Sequence, residues 1–464
     1  MGSPHVIVVG GGLAGLSASV SLANHGFRVS LLERSPRLGG RATSYTLPTG
    51  EQIDNCQHVT LGCCSNLTDF FNRIGVASKF RHYDELVFID SSSRRGRIKL
   101  ARLPAPLHLS PSFAAFRLLT SRDKLSIARA MLSILRAGGE PKLPDSISML
   151  DWLRMQNQTA SAIKRFWSTV LVSALNEDLE CIDARHGIAV FWKSFLSNSE
   201  GFRIGIPSVP LSDLYASCGD SITNNNGEVR TRTGVAEICM RGNKVHALRL
   251  EDGEETSADY YILALTFDRL LKILPESMRG NKPFENLRNI PVSPITSVHF
   301  WLDRPVMNEP FLALLDHTTQ WIFNKTQLNG SGSQPGQYLQ LVISASRTLS
   351  NQSQQEIVAL CRRELEQLLP AMASATIVRS VVIRENAATF SPRPGADVWR
   401  PGQRTNIRNL FLAGDWTQTG WPATMESAVR SGYQAAEAVL AEDGRPIKIV
   451  RPELPVTGLA RWFT

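Results

Sequence analysis

This sequence lacks the marks of several common protein classes. Its seven cysteines are odd in number among 464 residues and include no C-x-x-C pair, which argues against a disulfide framework and against a zinc site. No uninterrupted apolar run approaches the roughly 18 residues that a membrane-spanning helix requires, and no internal repeat is present. We therefore expect a globular protein of a reducing compartment, without a bound metal.

The composition that remains is that of an ordinary folded protein of some length. Hydrophobic residues make up 43% of the chain and charged residues 20%, which is typical of globular proteins. A chain of 464 residues is too long for one core and suggests two domains. The apolar N-terminus resembles a signal peptide, but its glycines occupy the positions of a phosphate-binding loop, so cleavage would destroy the fold. The predicted location is the cytoplasm, in solution or peripherally on the inner face of the cell membrane.

Positive charge is concentrated in one segment. The net charge is +8, and residues 94–136 alone carry ten Lys or Arg against the single acid Asp123. Five residues of this segment follow a helical spacing and predict a polar stripe on an otherwise apolar helix: Arg122, Ser126, Arg129, Ser133 and Arg136. Two interpretations remain open: the helix packs on a core with its arginines solvated, or it contacts an anionic membrane or lines a lipid entrance. Nucleic acid is not expected as a partner, because no aromatic residues or binding module accompany the charge.

The N-terminal residues predict a βαβ unit. The stretch HVIVVGGGLAGLSASVSLANHGFRVSLLER, residues 5–34, has the pattern of a buried strand, a glycine-rich turn, a helix and a second strand. Gly10, Gly12 and Gly15 form the G-x-G-x-x-G pattern of dinucleotide-binding loops. The first glycine permits the tight turn, the second lets the backbone approach a pyrophosphate, and the third lets helix and strand pack closely.

The start of that helix and the end of the second strand complete the predicted cofactor site. Leu13 and Ala14 open the helix, so its free N–H groups and the positive end of its dipole would face the phosphates. Glu33 follows the glycines by about 20 residues and is placed to accept hydrogen bonds from a ribose diol. NAD and FAD sites share this pattern, so it does not distinguish the two cofactors.

The residues that come next indicate FAD. Glu33, Arg34, Gly39, Gly40 and Arg41 form the motif E-R-x-x-x-x-G-G-R, through which the sequence resembles the FAD-containing amine oxidase and phytoene desaturase superfamily. The paired glycines would bring the backbone against the cofactor, and Arg41 offers a fixed cationic fork. The resemblance implies FAD as the cofactor.

The same resemblance implies further contacts with FAD. The backbone of Val235 would meet the adenine, Gly414 would allow close approach of the chain, and Asp415 would bind the ribitol of the flavin. A helix is predicted over residues 423–440. Its N–H groups, from about Met425, would point at the N1–C2=O edge of the flavin, which favours the negative charge of a reduced flavin.

The implied fold class is α/β. It combines a Rossmann-like FAD-binding domain with an interleaved α+β substrate domain, as in the amine oxidase and desaturase type. The predicted FAD-binding domain is discontinuous and consists of residues 1–80, 207–285 and 405–445. The predicted substrate domain consists of residues 81–206 and 286–404 and includes the basic segment 94–136. Residues 446–464 form a predicted tail.

Three stretches indicate the branch of the superfamily. Amine oxidases carry an aromatic residue in a C-terminal G-Y-M-E-G-A-type motif, but this chain has Thr424 at that position, which disfavours an amine oxidase. The stretches DNCQHVTLGCCSNLTDFFNRIG (54–75) and STVLVSALNEDLECIDARHGIAVF (168–191) resemble instead the hydroxysqualene dehydroxylases of bacterial hopanoid biosynthesis, once called squalene-associated FAD-dependent desaturases. Cys56 departs from their pattern, in which glycine is usual.

This closer resemblance implies a reaction and its partners. FAD-dependent reductive removal of the allylic hydroxyl of hydroxysqualene would give squalene. The alternative is a carotenoid-type desaturase or isomerase acting on a long polyisoprenoid, and a flavin amine oxidase is less expected. The implied partners are a long-chain isoprenoid substrate, membrane lipid in peripheral contact, and an unidentified electron donor, since no second nucleotide site for NADPH is found.

Three polar side chains of the two specific stretches are candidates for the chemistry. His58 lies in the loop that the resemblance places beside the isoalloxazine, and its imidazole could donate a proton near neutral pH. Glu177 and Asn176 could protonate and orient the hydroxyl, since burial raises the pKa of a carboxylic acid. Two alternatives stay open: a histidine satisfied within the core, and a polar helix terminus at 176–178.

Overall fold

The computed structural model describes residues 3–144, 146–330 and 336–464. Within those residues, twenty strands form five sheets. In chain order the strands are β1 (His5–Val9), β2 (Arg28–Leu32), β3 (Ser44–Thr46), β4 (Gln52–Asp54), β5 (Thr60–Leu61), β6 (Phe80–Tyr83), β7 (Glu85–Ile89), β8 (Arg95–Lys99), β9 (Ile204–Pro207), β10 (Glu228–Arg230), β11 (Val235–Arg241), β12 (Lys244–Leu250), β13 (Glu255–Thr256), β14 (Tyr260–Leu263), β15 (Val292–Leu302), β16 (Phe311–Leu314), β17 (Trp321–Asn324), β18 (Gln337–Ser344), β19 (Ile377–Phe390) and β20 (Leu410–Leu412).

The same residues form fourteen α-helices. They are α1 (Leu13–Asn24), α2 (Ser65–Arg73), α3 (Ser110–Ala115), α4 (Ser121–Arg136), α5 (Met149–Met155), α6 (Ala160–Ala162), α7 (Ser168–Leu175), α8 (Ala184–Phe191), α9 (Ala216–Thr223), α10 (Phe267–Ile273), α11 (Glu276–Arg279), α12 (Lys325–Leu328), α13 (Gln354–Leu368) and α14 (Met425–Glu442). Two π-helical turns, Ile163–Trp167 and Trp192–Leu196, join α6 to α7 and extend α8. A 3-10 turn spans Gly458–Phe463. Among the described residues, no helix combines the length and the apolar character needed to cross a bilayer.

A parallel sheet of five strands carries the glycine-rich loop. Its order is β10-β2-β1-β14-β20. Side chains alternate along β1, so Val6 and Val8 pack with α1 and α14, whereas Ile7 and Val9 pack with the antiparallel sheet β11-β12-β13. Because both faces are covered, β1 is apolar at nearly every position. The carboxyl ends of β1, β2 and β20 lie at the same edge of the sheet, which is where such folds bind ligands.

A second, mixed sheet of seven strands builds the other half of the molecule. Its order is β19-β15-β18-β17-β16-β7-β8. Leu86 and Phe88 of β7 pack against the helical layer that includes α4, α5, α7 and α8, whereas Val87 and Ile89 pack on the opposite face with α13. A small sheet, β5-β9-β6, joins the two halves of the molecule. The five strands of the parallel sheet come from the segments predicted to form an FAD-binding domain, and the seven strands of the mixed sheet come from the segments predicted to form a substrate domain.

Helix α4 exposes different residues from those predicted. Its exposed side chains include three arginines and two leucines: Arg122, Leu125, Arg129, Leu132 and Arg136. Ser126 is buried, because its hydroxyl donates to the Asp123 carbonyl within the helix and needs no water. The prediction of a purely polar stripe is therefore wrong, and the exposed stripe alternates basic and apolar side chains.

His108 gives the fold a dependence on pH. It is fully buried, neither ring nitrogen has a hydrogen-bond partner within the described residues, and burial lowers its pKa to about 4. Between pH 6.5 and 4 the unfolded chain therefore binds a proton that the folded chain does not, so stability falls as the pH falls. We expect titration of His108 to lower the free energy of unfolding by about 2 kcal/mol when the pH falls from 7 to 5.

Denaturant unfolding of wild type and His108→Leu at these two pH values checks this prediction. The leucine variant should lose less stability on acidification, because it removes the buried titrating group. The same loss in both proteins would show that His108 is not responsible.

Candidate active site

One cavity of about 620 Å³ joins the two halves of the molecule. At one end its wall includes the glycine-rich loop, with Gly10, Gly12, Leu13, Ala14 and Glu33. Gly40, Arg41, Gly414, Asp415 and Met425 also line it. Apolar side chains from the mixed sheet and the helical layer line the rest. The cavity therefore has a polar end built from loops at the sheet edge and an apolar end.

The three glycines of the loop have different surroundings. A Cβ on Gly15 would lie 1.9 Å from the Gly10 carbonyl oxygen, so this glycine lets α1 pack against β1. Gly10 has φ +109 and would place a Cβ 2.5 Å from the Ala264 carbonyl oxygen. Gly12, by contrast, has only the Gly40 Cα at 3.9 Å. No protein atom among the described residues explains Gly12, and the open space before it suits a phosphate close to the backbone.

Glu33 and its neighbour Arg34 have different environments. The Glu33 carboxylate lines the cavity and accepts hydrogen bonds from the backbone N–H groups of Gly11 (2.6 Å) and Ser35 (2.7 Å). Arg34 points away, and its exposed guanidinium pairs with Glu251 at 3.3 Å. Val235 is buried at the start of β11 and does not line the cavity. The predicted contacts of Arg34 and Val235 with FAD are therefore not visible in the cavity wall.

Arg41 and Asp415 form an ion pair in the cavity wall. The Arg41 Nη2 donates to Asp415 Oδ1 at 2.5 Å, and its Nη1 donates to the Ala388 carbonyl at 2.6 Å. Gly414 has φ +151 and donates its N–H to the Ser431 hydroxyl at 2.8 Å. The predicted cation and anion of the cofactor site thus hold each other in place at the edge of the sheet.

Arg400, which the sequence did not single out, organises the turn after Asp415. Its buried guanidinium donates to the carbonyls of Thr417 (2.6 Å) and Trp421 (2.9 Å) and lies 4.4 Å from the centre of the Phe390 ring. One cation therefore satisfies several carbonyls of a buried turn that would otherwise lack donors.

Helix α14 begins at the cavity. The helix predicted over residues 423–440 spans Met425–Glu442, and the Thr424 side chain caps it by accepting from the Ser427 N–H at 3.1 Å. Met425 lines the cavity, so the positive end of the helix dipole lies in its wall. Burial raises the pKa of Glu426, although this carboxyl also accepts hydrogen bonds from the N–H groups of Asn66 and Leu67 at the start of α2.

His58 lies in a loop that is anchored by a buried lysine. The Lys325 ammonium is buried and donates to Asp54 Oδ2 at 2.8 Å and to Gln57 at 3.1 Å. Burial opposes ionisation of Asp54, but Lys325 prevails and keeps the pKa of this carboxyl below its usual range. His58 lines the cavity, and its Nδ1 lies 3.1 Å from the Cys56 carbonyl oxygen.

Burial disfavours the charged forms of two side chains in this loop. Burial lowers the pKa of His58 below its usual 6.5, so the imidazole is neutral at pH 7. Burial also raises the pKa of the Cys56 thiol to about 12. His58 therefore enters the cavity wall as a neutral hydrogen-bonding group, which conflicts with the prediction of a ready proton donor near neutral pH.

The polar atoms of Asn176 are used in contacts within the protein. Asn176 ends α7 in the left-handed conformation (φ 53) and hydrogen-bonds to the Ser293 carbonyl, the Thr389 hydroxyl and the Ala345 N–H. It reaches the cavity wall, but these three contacts use its polar atoms. Asn176 thus ties the end of α7 to the mixed sheet.

Glu177 does not line the cavity. Its carboxylate is fully buried and accepts from Arg347 Nη1 at 2.5 Å and Nη2 at 2.6 Å, and from the Ser391 hydroxyl. A carboxylate that is held by a guanidinium and kept out of the cavity cannot protonate a substrate there. The geometry thus agrees with the alternative of a polar helix terminus and conflicts with the prediction that Glu177 is an acid catalyst.

The apolar end of the cavity combines aliphatic side chains with five aromatic rings. The rings are Phe88, Phe195, Phe311, Trp321 and Phe323. The Trp321 indole N–H donates to the Ser173 hydroxyl at 2.6 Å, so it does not need a partner from a bound molecule. This end therefore suits a hydrocarbon and offers it little hydrogen bonding.

Comparison with known proteins relates this architecture to named families. Residues 13–440 match the family model for flavin containing amine oxidoreductases. The chain is 28% identical to a zeta-carotene desaturase of Synechocystis sp., over 95% of this chain and 98% of that protein. It is 25% identical to a 15-cis-phytoene desaturase of Solanum lycopersicum, over 94% of this chain and 78% of that protein. The crystal structure of an oxidoreductase from Methanosarcina mazei superposes with a TM-score of 0.72 at 16% identity, over 92% of this chain and 98% of that one, which shows a shared fold.

Proposed function

Because this chain belongs to the flavin containing amine oxidoreductase family and is an FAD-dependent oxidoreductase, we propose that its substrate is a long polyisoprenoid. The observation that carries the proposal is the apolar, aromatic-lined end of the cavity, which continues directly from the polar end. The named desaturases among the relatives support the same substrate class.

The polar end of the cavity fits FAD. Gly12 leaves open space for a pyrophosphate, Glu33 offers a carboxylate for a ribose, and Asp415 offers one for a ribitol chain. Met425 would bring the start of α14 to the flavin, where its N–H groups stabilise negative charge. When bound, FAD supplies the hydride chemistry. The chain itself supplies binding, orientation and a cavity that excludes water.

The first candidate reaction is a carotenoid-type desaturation. In it, a hydride would pass from one carbon of the polyisoprenoid to the oxidised cofactor and a proton from the neighbouring carbon to solvent, so that a C–C single bond becomes a double bond. For this reaction the apolar walls mainly need to hold one segment of the polyisoprenoid near the polar end of the cavity. The sequence likeness to zeta-carotene and phytoene desaturases favours this candidate.

The second candidate is the reductive dehydroxylation of hydroxysqualene to squalene. It is favoured by one observation: the two stretches that most resemble hydroxysqualene dehydroxylases, 54–75 and 168–191, both contribute to the cavity wall. In this reaction the allylic C–O bond would break, the hydroxyl would take up a proton from solvent and leave as water, and a hydride from the reduced cofactor would take its place. Here His58 would hydrogen-bond to the hydroxyl as a neutral imidazole, and the apolar walls would keep water from recapturing an allylic cation.

Two anaerobic incubations of the holoenzyme distinguish these reactions. Oxidised enzyme with phytoene or zeta-carotene should bleach its flavin and form a longer polyene if the enzyme is a desaturase. Chemically reduced enzyme with hydroxysqualene should regain its oxidised spectrum and form squalene if it is a dehydroxylase. An enzyme that leaves both substrates unchanged would contradict the polyisoprenoid proposal.

Replacing His58 by alanine provides a second distinction. In the dehydroxylation, loss of a hydrogen bond to the hydroxyl should lower turnover about tenfold while FAD stays bound. In the desaturation of a hydrocarbon, which has no polar group for His58 to contact, turnover should stay close to that of wild type. His82→Ala, at an exposed position on β6, is the control. Equal losses in the two variants would show that His58 acts only through the fold.

A further inference from the structure

Exposed apolar side chains are concentrated at one place on the surface. Among the described residues, eleven large hydrophobic side chains are exposed, and five of them belong to three short regions that pack together: Leu103, Leu107, Leu125, Leu132 and Trp462. Trp462 is the most exposed of all, at 79%. Single exposed apolar residues are ordinary in soluble proteins, but a group of them indicates a contact surface.

The fold brings together the three segments that bear these five side chains. The turn Gly458–Phe463 donates hydrogen bonds from Leu459 and Ala460 to the Ala105 carbonyl, at 2.8 and 3.2 Å. The same turn packs against α4, and a Cβ on Gly138, just after that helix, would lie 3.2 Å from the Phe463 carbonyl. Trp462 is therefore located between the loop that bears Leu103 and Leu107 and the end of α4.

Helix α4 adds basic side chains to this surface. At 100° per residue, Arg122, Leu125, Arg129, Leu132 and Arg136 fall within about 80° of the helix circumference. In the part of the chain that the structure describes, none of the three guanidinium groups has an acidic partner. We call these three arginines and the five apolar residues the basic–apolar surface.

The basic–apolar surface lies one layer of structure from the cavity. A Cβ on Gly139, which follows α4, would fall 2.3 Å from the Trp192 ring, so the chain crosses directly over that side chain. Trp192 begins the π-helical turn whose next residues, Lys193, Ser194 and Phe195, line the cavity. The surface and the apolar cavity are thus two sides of the same helical layer.

We propose that the basic–apolar surface docks on an anionic phospholipid bilayer. Its arginines would contact lipid phosphates, and its leucines and Trp462 would enter the boundary between headgroups and acyl chains. Alternating cations and apolar side chains match this layered chemistry, whereas a nucleic acid would use the cations and leave the leucines exposed. The proposal does not depend on which polyisoprenoid reaction the enzyme catalyses.

Co-sedimentation of the holoenzyme with lipid vesicles tests the proposal. Wild type should bind vesicles that contain equal amounts of phosphatidylglycerol and phosphatidylcholine, should bind phosphatidylcholine alone weakly, and should be partly released by salt. The variant Arg122→Glu/Arg129→Glu/Arg136→Glu should bind the anionic vesicles at least tenfold more weakly. The variant Leu125→Ser/Leu132→Ser/Trp462→Ser should lose the binding that persists at high salt.

A matched control distinguishes an effect of this particular surface from an effect of the protein's net charge. Arg241→Glu/Arg288→Glu/Arg363→Glu changes the same amount of charge at exposed positions elsewhere and should bind vesicles like wild type. FAD content and the thermal midpoint of each variant check that it is folded. Loss of binding in this control equal to that in the α4 variant would overturn the proposal, as would a wild-type enzyme that ignores anionic vesicles. Binding to a DNA duplex that responds to the α4 variant but not to the apolar variant, without vesicle binding, would identify a nucleic-acid surface instead.

Discussion

An alanine at position 12 should leave the apoprotein folded and remove most of its affinity for FAD. The structure has room for this methyl group, since the nearest atom to an added Cβ is the Gly40 Cα at 3.9 Å. The proposed pyrophosphate would lie in the space in front of it. We expect FAD to bind about 100-fold more weakly, equivalent to losing one or two hydrogen bonds to a charged phosphate. Thermal unfolding of the apoprotein and FAD titration by flavin fluorescence measure the two quantities separately.

Two other glycines serve as controls for this result. Gly15→Ala should lower both stability and FAD binding, because its Cβ would overlap the Gly10 carbonyl. Gly219→Ala, on α9, meets nothing within 4 Å and should be neutral or slightly stabilising, since alanine favours helix more than glycine does. If Gly12→Ala binds FAD as wild type does, the pyrophosphate cannot lie against Gly12, and the position assigned to the cofactor is wrong.

The glycine-rich loop and Glu33, which the sequence predicts to bind FAD, line one cavity together, and the signals that predict them are local. The glycines, Glu33 and the first residues of α1 lie within about thirty positions of one another, and each has a conformational reason to be where it is. The start of α14 at Met425 was predicted within two residues, because the helix pattern is also a local signal. The family to which the chain belongs was likewise indicated by one short motif.

The sequence could not reveal contacts between distant segments. Lys325 fixes the loop that bears His58, yet it is more than 260 positions away from Asp54 and Gln57. Arg400 holds the turn after Asp415 without any motif of its own. The exposure of Leu125 and Leu132 also depends on which side of α4 the rest of the chain covers. In each case the partner is chosen by tertiary packing, which periodicity along one segment does not record.

Glu177 illustrates how this limit affects a functional hypothesis. An isolated acid in an apolar stretch looks like a catalytic group when its partner is unknown, because burial would then raise its pKa. The partner, Arg347, lies 170 positions further along the chain and satisfies the carboxylate with two hydrogen bonds. The same burial that suggested chemistry therefore indicates a contribution to stability.

Replacing Glu177 by glutamine should accordingly destabilise the fold and leave the chemistry intact. Glutamine has nearly the same shape, but it is neutral and offers one acceptor oxygen in place of two, so the Arg347 charge loses its counterion and one set of donors to the buried carboxylate loses its acceptor. We expect a loss of about 3 kcal/mol of unfolding free energy, at the low end for a buried pair because the Arg347 side chain is 33% exposed. Denaturant unfolding measures this loss.

A double-mutant cycle shows whether the loss comes from the ion pair. Arg347→Met alone leaves the carboxylate unpaired, whereas Glu177→Gln/Arg347→Met removes both charges, so the double variant should be more stable than the sum of the single losses predicts. Glu366→Gln, in the exposed pair with Arg362, should cost at most about 0.5 kcal/mol. The fraction of Glu177→Gln that is folded and holds FAD should turn over at the wild-type rate, because this side chain does not reach the cavity. Wild-type stability together with a large fall in turnover would reverse the assignment and restore Glu177 to the catalytic site.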